Sequence, residues 1–217
     1  MREERETAMG SIDLVTEVDK AAEALLHRAI AKHFPDHGFQ GEEHTNTNPD
    51  AALRWIVDPL DGTLNFVHGM PMFAISIGLL HRREPVVGVI YDPIRRELFT
   101  AMKGSGARLN GRRMRVSGTD TMVASLLSTG FSLAFRRVPT EYLDWLVAFE
   151  RGSHAVRRIG TTAISLAWLA AGRLDGFYER ELSPWDFAGG TILVREAGGR
   201  VTDFDGQATT VGTERSR

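Results

Sequence analysis

Apolar residues at Val18, Ala21, Ala22, Leu25, Ala29 and Ile30 recur at the spacing of one helical face. This predicts an amphipathic helix that stops near Phe34-Pro35. It starts just after Asp13-Leu14-Val15-Thr16, where Thr16 and Asp19 have the separation of a capping box. A polar, asparagine-rich loop over 43–50 leads into a short β run, Trp55-Ile56-Val57, which ends at Asp58-Pro59. Further β-like runs over 72–80, 85–91, 97–102 and 112–116 are closely spaced with turn residues between them, the pattern of an antiparallel meander. Gly104-Ser105-Gly106 falls in one of these connections and reads as a hairpin turn, since no Lys-Ser/Thr pair completes a phosphate loop.

The second half alternates between the two periods. Strands are predicted around 122–128, 154–159, 176–178 and 200–202, and helices around 141–150, 162–171 and 185–197. Layered α and β elements around stacked sheets fit this order. No internal repeat, low-complexity segment or Pro/Ser-rich linker interrupts it, so a single domain over 1–217 is expected.

Composition narrows the chemistry. With 42% hydrophobic and 25% charged residues, the chain has the make-up of a soluble globular protein that buries a sizeable core. Lys and Arg number 26 against 28 Asp and Glu, a net charge of -2, so no global field draws in nucleic acid or an anionic membrane. Any anion must be held locally. The chain has no cysteine, which excludes disulfides, thiolate zinc sites and cysteine nucleophiles and suits a reducing cytoplasm. Residues 1–6 are charged rather than apolar, unlike a signal peptide. The longest stretch without Asp, Glu, Lys or Arg, 62–80, is broken by Asn65, His68, Gly69 and Pro71 and does not read as a membrane span.

The most informative segment is Trp55-Ile56-Val57-Asp58-Pro59-Leu60-Asp61-Gly62-Thr63-Leu64-Asn65-Phe66. A buried strand delivers Asp58 to its C-terminal edge, and Asp61-Gly62 reverses the chain. Two carboxylates three residues apart then face one space, with the Leu60 carbonyl between them. Hard divalent cations such as Mg²⁺ require such oxygen-only, anionic surroundings. Taken alone, the segment reads first as a strand end followed by an ordinary turn. Glu42 alone is a solvated loop acid, and Asp186 alone is a helix N-terminal residue.

Together these residues match a known pattern. Glu42, the run Asp58 to Phe66, and Trp185-Asp186-Phe187-Ala188-Gly189-Gly190 followed by Glu196-Ala197-Gly198-Gly199 resemble the signature blocks of the inositol monophosphatase family, within the Mg²⁺-dependent, lithium-sensitive phosphatases. The likeness runs from about Asp13 to Asp205. It implies an α/β (α+β) fold, a layered α-β-α-β-α sandwich of the sugar phosphatase type, with N- and C-terminal elements shortened. It also implies two or three Mg²⁺ ions, held by Glu42, Asp58, the carbonyl of Leu60, Asp61 and Asp186. By the same resemblance Asp19 hydrogen-bonds the hydroxyl of Thr63, and Glu42, Thr63 and Asp19 orient and deprotonate an attacking water. Asp61, Gly62 and Thr63 contact the phosphate, while Gly160, Thr161, Thr162 and Glu179 contact the alcohol. Thr162 stands where alanine is expected, and its added hydroxyl alters which polyol fits.

The implied partner is a small phosphorylated polyol or sugar, with inositol 1-phosphate first, in a cytoplasmic homodimer that engages neither nucleic acid nor membrane. Fructose 1,6-bisphosphate, histidinol phosphate and phosphorylated adenosine nucleotides are rival substrates for the same metal centre. A non-catalytic metal- or phosphate-binding interaction protein is the rival from another class.

Overall fold

The computed structural model describes residues 2–6, 12–43, 45–131, 139–209 and 211. Met1, His44 of the predicted polar loop and the terminal Arg217 lie outside the described residues. Strands β1 (Arg2–Glu6) and β2 (Ile12–Thr16), which the hydrophobic pattern did not announce, pair antiparallel and lead into α1 (Glu17–His33). The capping box is present. The amides of Val18 and Asp19 donate to the Thr16 hydroxyl at 3.2 and 3.4 Å, and the Thr16 amide donates to Asp19 Oδ2 at 2.8 Å. Phe34 ends the helix, and Pro35, with no N–H to give, cannot prolong it.

Strands β3 (Gly38–Gly41), β4 (Asn46–Thr47), β5 (Leu53–Asp61), β6 (Ala74–His81), β7 (Glu84–Asp92), β8 (Glu97–Met102), β9 (Gly106–Leu109) and β10 (Arg112–Arg113) form one sheet. Its order is β10-β9-β8-β7-β6-β5-β3-β4, and every pairing is antiparallel except β3 with β5. The predicted meander is therefore correct for β6 to β8. The run at 112–116 shrinks to two residues, and β9 fills the place beside β8. Strand β5 continues past Asp58-Pro59 to Asp61, because the register shifts between Asp58 and Asp61. Such an irregularity tolerates a proline that has no donor for the ladder.

A second sheet, with order β12-β11-β13, is parallel throughout and consists of β11 (Leu126–Thr129), β12 (Ala155–Arg158) and β13 (Gly176–Tyr178). Helices α3 (Pro139–Gly152) and α4 (Thr162–Ala170) make its crossovers, and α5 (Pro184–Glu196) follows β13. Met122–Ala124 is a 3₁₀ turn rather than the start of a strand. The strand expected over 200–202 reduces to a single bridge between Thr202 and Ala208, as no neighbouring strand extends it among the described residues.

Side-chain alternation along β5 explains the layering. Trp55 packs against Phe34 and His37 at the end of α1, whereas Ile56 lies with Leu80 and Ala188 on the α5 side. Helix α5 covers β5 to β9, α4 touches α5 and β13, and α3 touches β12. The layers are thus α1, the eight-stranded sheet, α4 with α5, the three-stranded sheet, and α3, in agreement with the expected sandwich. The core between them includes Ile90, Phe99, Ile164, Ala167, Leu193 and Val194. Trp168 and Trp185 are packed against the core clusters.

The approach of α5 to the sheet depends on Gly78, where an added Cβ would stand 2.8 Å from the Ala188 Cβ. Gly78→Val should destabilise the protein by about 1–3 kcal/mol through overpacking, measured as a lower urea midpoint with an unchanged slope.

Candidate active site

Parallel pairing places the first two acids. Gly41 of β3 lies opposite Val57 of β5, so both strands end at one edge and Glu42 emerges beside Asp58. The Glu42 amide donates to the Val57 carbonyl at 3.1 Å, and the two carboxyl groups share a hydrogen bond. Asp58 is only 2% exposed, and its Oδ1 accepts from the Leu60 amide at 2.9 Å. The chain then turns through Gly62, at φ 97°, where a Cβ would also crowd the Met72 carbonyl at 2.9 Å.

A five-residue helix, α2 (Thr63–Val67), starts there. The Thr63 hydroxyl is directed to both the Leu60 carbonyl at 3.0 Å and Asp19 Oδ1 at 3.2 Å. Asp19 therefore fulfils both readings of its motif. One oxygen closes the helix cap, and the other meets Thr63.

Asp61 reaches the N-terminus of α4, where its Oδ2 accepts from the Ala163 amide at 2.6 Å and from the Thr161 hydroxyl. The structure thus brings the expected alcohol-binding turn to the carboxylates, but it engages Thr161 with Asp61. Gly160, at φ 81°, forms this turn. Asn65 secures the turn through Nδ2, which donates to Met72, Ile159 and Gly160 carbonyls at 2.8, 3.0 and 3.3 Å. Thr162 donates to Glu179 Oε2 at 3.0 Å, and the Glu179 carboxylate lies so close to Gly130 that no Cβ fits there. Asp186 sits in the first turn of α5, accepting from the Ser183 amide at 2.7 Å.

Electrostatics tie these positions together. Burial, then the charges of Glu42, Asp61 and Asp186, raise the Asp58 carboxyl well above its ordinary range. Burial also lifts Asp61 to about 6, against its hydrogen bonds from Thr161, Ala163 and Thr162. Asp186 is raised by burial and then by Asp61, Glu42 and Glu179. Glu179 is pushed up to about 7, chiefly by burial, with Thr162 opposing.

Among the described residues no three acidic or imidazole groups form a ready-made metal cage. Buried like charges repel, and Asp58, Asp61 and Asp186 each turn an oxygen to a local donor. The chemistry of the set nevertheless fits a hard divalent cation: the donors are all oxygen and gathered from three segments, and the carboxyl groups are hard to ionise together without a positive charge.

Sequence reasoning missed two supporting residues, Asn65 as the tie between α2 and Gly160, and Glu23, buried on α1. Glu23 lies one helical turn beyond Asp19, a polar position on the buried side of an amphipathic helix, and this signal was available.

This fold and site define a member of the inositol monophosphatase family, to which the chain belongs; the family match spans residues 1–216. Nus factor SuhB of Salmonella typhimurium is 46% identical over 200 residues, which cover 91% of this chain and 74% of that protein. The Pseudomonas aeruginosa protein of the same name is 44% identical over 199 residues, covering 89% and 73%. Among solved structures, an inositol monophosphatase from Anabaena superposes with a TM-score of 0.88 at 44% identity, covering 92% of this chain and 79% of that one. The Thermotoga maritima IMPase gives 0.86 at 36% identity, covering 96% and 79%. No described helix is long and apolar enough to cross a membrane.

Asp58, Asp61 and Asp186 are all raised above the ordinary aspartate value of 3.8, so the folded protein retains protons that the unfolded chain releases. Their stabilising contribution is complete below that value and is lost as pH rises through about 6 for Asp61. With a chelator present, the part of the melting temperature attributable to Asp61 should fall between roughly pH 4 and 7. Asp61→Asn, which cannot ionise, should show a shallower fall by calorimetry; equal slopes would remove Asp61 from the account.

Proposed function

We propose that the chain hydrolyses small phosphate monoesters with Mg²⁺, and that inositol 1-phosphate is the first substrate to test. The observation carrying this reading is the Thr63 hydroxyl, directed to Asp19 and to the Leu60 carbonyl, which lies between the carboxylates of Asp58 and Asp61 in the chain. Glu42, Asp58, the Leu60 carbonyl, Asp61 and Asp186 would hold the metal. When bound, Mg²⁺ supplies positive charge that favours hydroxide over water and offsets the charge on the phosphate and the departing alkoxide.

The chain's own residues move the proton. As water attacks phosphorus, its proton passes to Thr63 Oγ1 while the Thr63 proton passes to Asp19 Oδ1. Glu42, beside Asp58, orients the same water. The new P–O bond replaces the ester P–O bond, the alcohol leaves with a proton from solvent, and Asp19 returns to solvent the proton it accepted. The amides of Gly62 and Thr63, at the start of α2, are assigned to the phosphate oxygens.

Glu179 and Thr162 bear on the alcohol. The Thr162 hydroxyl engages Glu179 Oε2, which leaves the other oxygen for a substrate hydroxyl where an alanine would leave both. Fructose 1,6-bisphosphate, histidinol phosphate and phosphorylated adenosine nucleotides therefore stand beside inositol 1-phosphate. The reading treats residues 1–217 as one domain, working as a cytoplasmic homodimer.

The name Nus factor, carried by relatives at 46% identity, supports a second reading, in which the chain acts through contacts with other macromolecules. Under it Mg²⁺ binds but no phosphomonoester turns over.

The deciding assay is Mg²⁺-dependent phosphate release from these four substrate types, with Asp58→Asn as the blank. Release from at least one, abolished in the blank, is expected; silence across the panel favours the second reading. Thr63→Val, which cannot relay a proton, should lower kcat by about 100-fold or more with little change in KM. A rise in KM at constant kcat would make Thr63 a binding residue only.

A further inference from the structure

The face of α1 that presents Asp19 continues at Glu23 and His27, one helical turn apart. All three meet segments that carry or support the candidate site. Asp19 accepts from Thr63. His27 Nε2 lies 3.4 Å from the Thr47 hydroxyl, and its ring stands edge-on to Phe39 of β3. Glu23, only 2% exposed, accepts the Glu43 amide through Oε2 at 2.7 Å and the Thr45 amide through Oε1 at 3.0 Å.

A carboxylate buried this deeply is strongly unfavourable unless its oxygens are satisfied. Here both oxygens take backbone donors from the loop that immediately follows Glu42. Gly41 closes the other side, since a Cβ there would fall on the Glu23 carboxylate. Its own amide bonds the Thr45 carbonyl at 2.8 Å, so the loop folds back around the Glu23 head group.

We propose that Glu23 is a positioning residue: by clamping the amides of Glu43 and Thr45 it holds the Glu42 carboxylate against Asp58, and through α1 it keeps that loop in register with Thr63. The inference rests on the reading that Glu42 and Asp58 bind Mg²⁺. It concerns metal affinity rather than the proton relay.

The test is Mg²⁺ binding by titration calorimetry on the full chain. Glu23→Gln preserves volume and one acceptor oxygen but sets an NH₂ group against a backbone N–H. Its Mg²⁺ dissociation constant should rise about 10-fold or more, the scale seen when a partner behind a metal ligand is lost. At saturating Mg²⁺, the KM for a turned-over phosphomonoester should stay near that of the unaltered protein. Gly41→Ala, which displaces the same carboxylate from the opposite side, should weaken Mg²⁺ similarly. Unchanged Mg²⁺ affinity in Glu23→Gln, with only a lower melting temperature, would make Glu23 merely structural and overturn the proposal.

Absence of Mg²⁺ binding by the unaltered protein, measured against Asp58→Asn, sinks the metal reading itself, a separate failure. Should neither Glu23→Gln nor Gly41→Ala fold, hydrogen exchange on the unaltered protein decides. The Glu43 and Thr45 amides should exchange several-fold more slowly with Mg²⁺, and an unchanged rate counts against the clamp.

Discussion

Carboxylates that repel one another are buried side by side, and the rest of the architecture is arranged around that constraint. Asp58, Asp61 and Asp186 are each raised by burial first; neighbouring charges add to it at Asp58 and Asp186, while hydrogen bonds oppose it at Asp61. No single element could impose such crowding. Asp58 and Asp61 come from the end of β5, Glu42 from the end of β3 and Asp186 from the first turn of α5. The repulsion is offset locally by backbone donors, the amides of Leu60, Ala163 and Ser183. Two of these donors belong to helix starts, where unsatisfied N–H groups and the helix dipole favour negative charge.

The layers make this convergence rigid. Helix α5 lies close against the eight-stranded sheet because Gly78 and Gly88 leave room for Ala188, Gly189 and Ile192. Close packing there directs the start of α5, and with it Asp186, towards the edge where β5 ends. On the opposite face α1 bonds both site-bearing loops, through Asp19 to Thr63 and through Glu23 to the stretch after Glu42. The cluster is thus held between two helices on opposite sides of one sheet. Packed helices and sheets resist small displacements, and this lets groups with unfavourable mutual charge stay in place.

The readable parts of the chain share a property: their interactions lie within a few residues. The capping box at Thr16 and Asp19, the end of α1 at Phe34-Pro35 and strands β6 to β8 all follow from local spacing, turn chemistry or alternation. The carboxylate pair Asp58 and Asp61 was legible for the same reason. Where pattern misled, a distant partner decided. Residues 200–202 alternate like a strand yet form one bridge, and β1 with β2 exist through pairing with each other. Thr161 bonds Asp61, 100 residues away, a contact that no local spacing announces.

The sequence by itself determined which residues can perform oxygen-donor chemistry: Glu42, Asp58, Asp61, Thr63 and Asp186, in a chain without cysteine. It also determined the helix caps and turns that prepare them, because those bonds close over three or four residues. Only the tertiary structure decided that β3 runs parallel to β5, that Thr63 meets Asp19 across 44 residues, and that Glu23 turns inward to backbone amides. The physical reason is that strand direction and register are selected by which buried faces fit together. No local spacing encodes that choice.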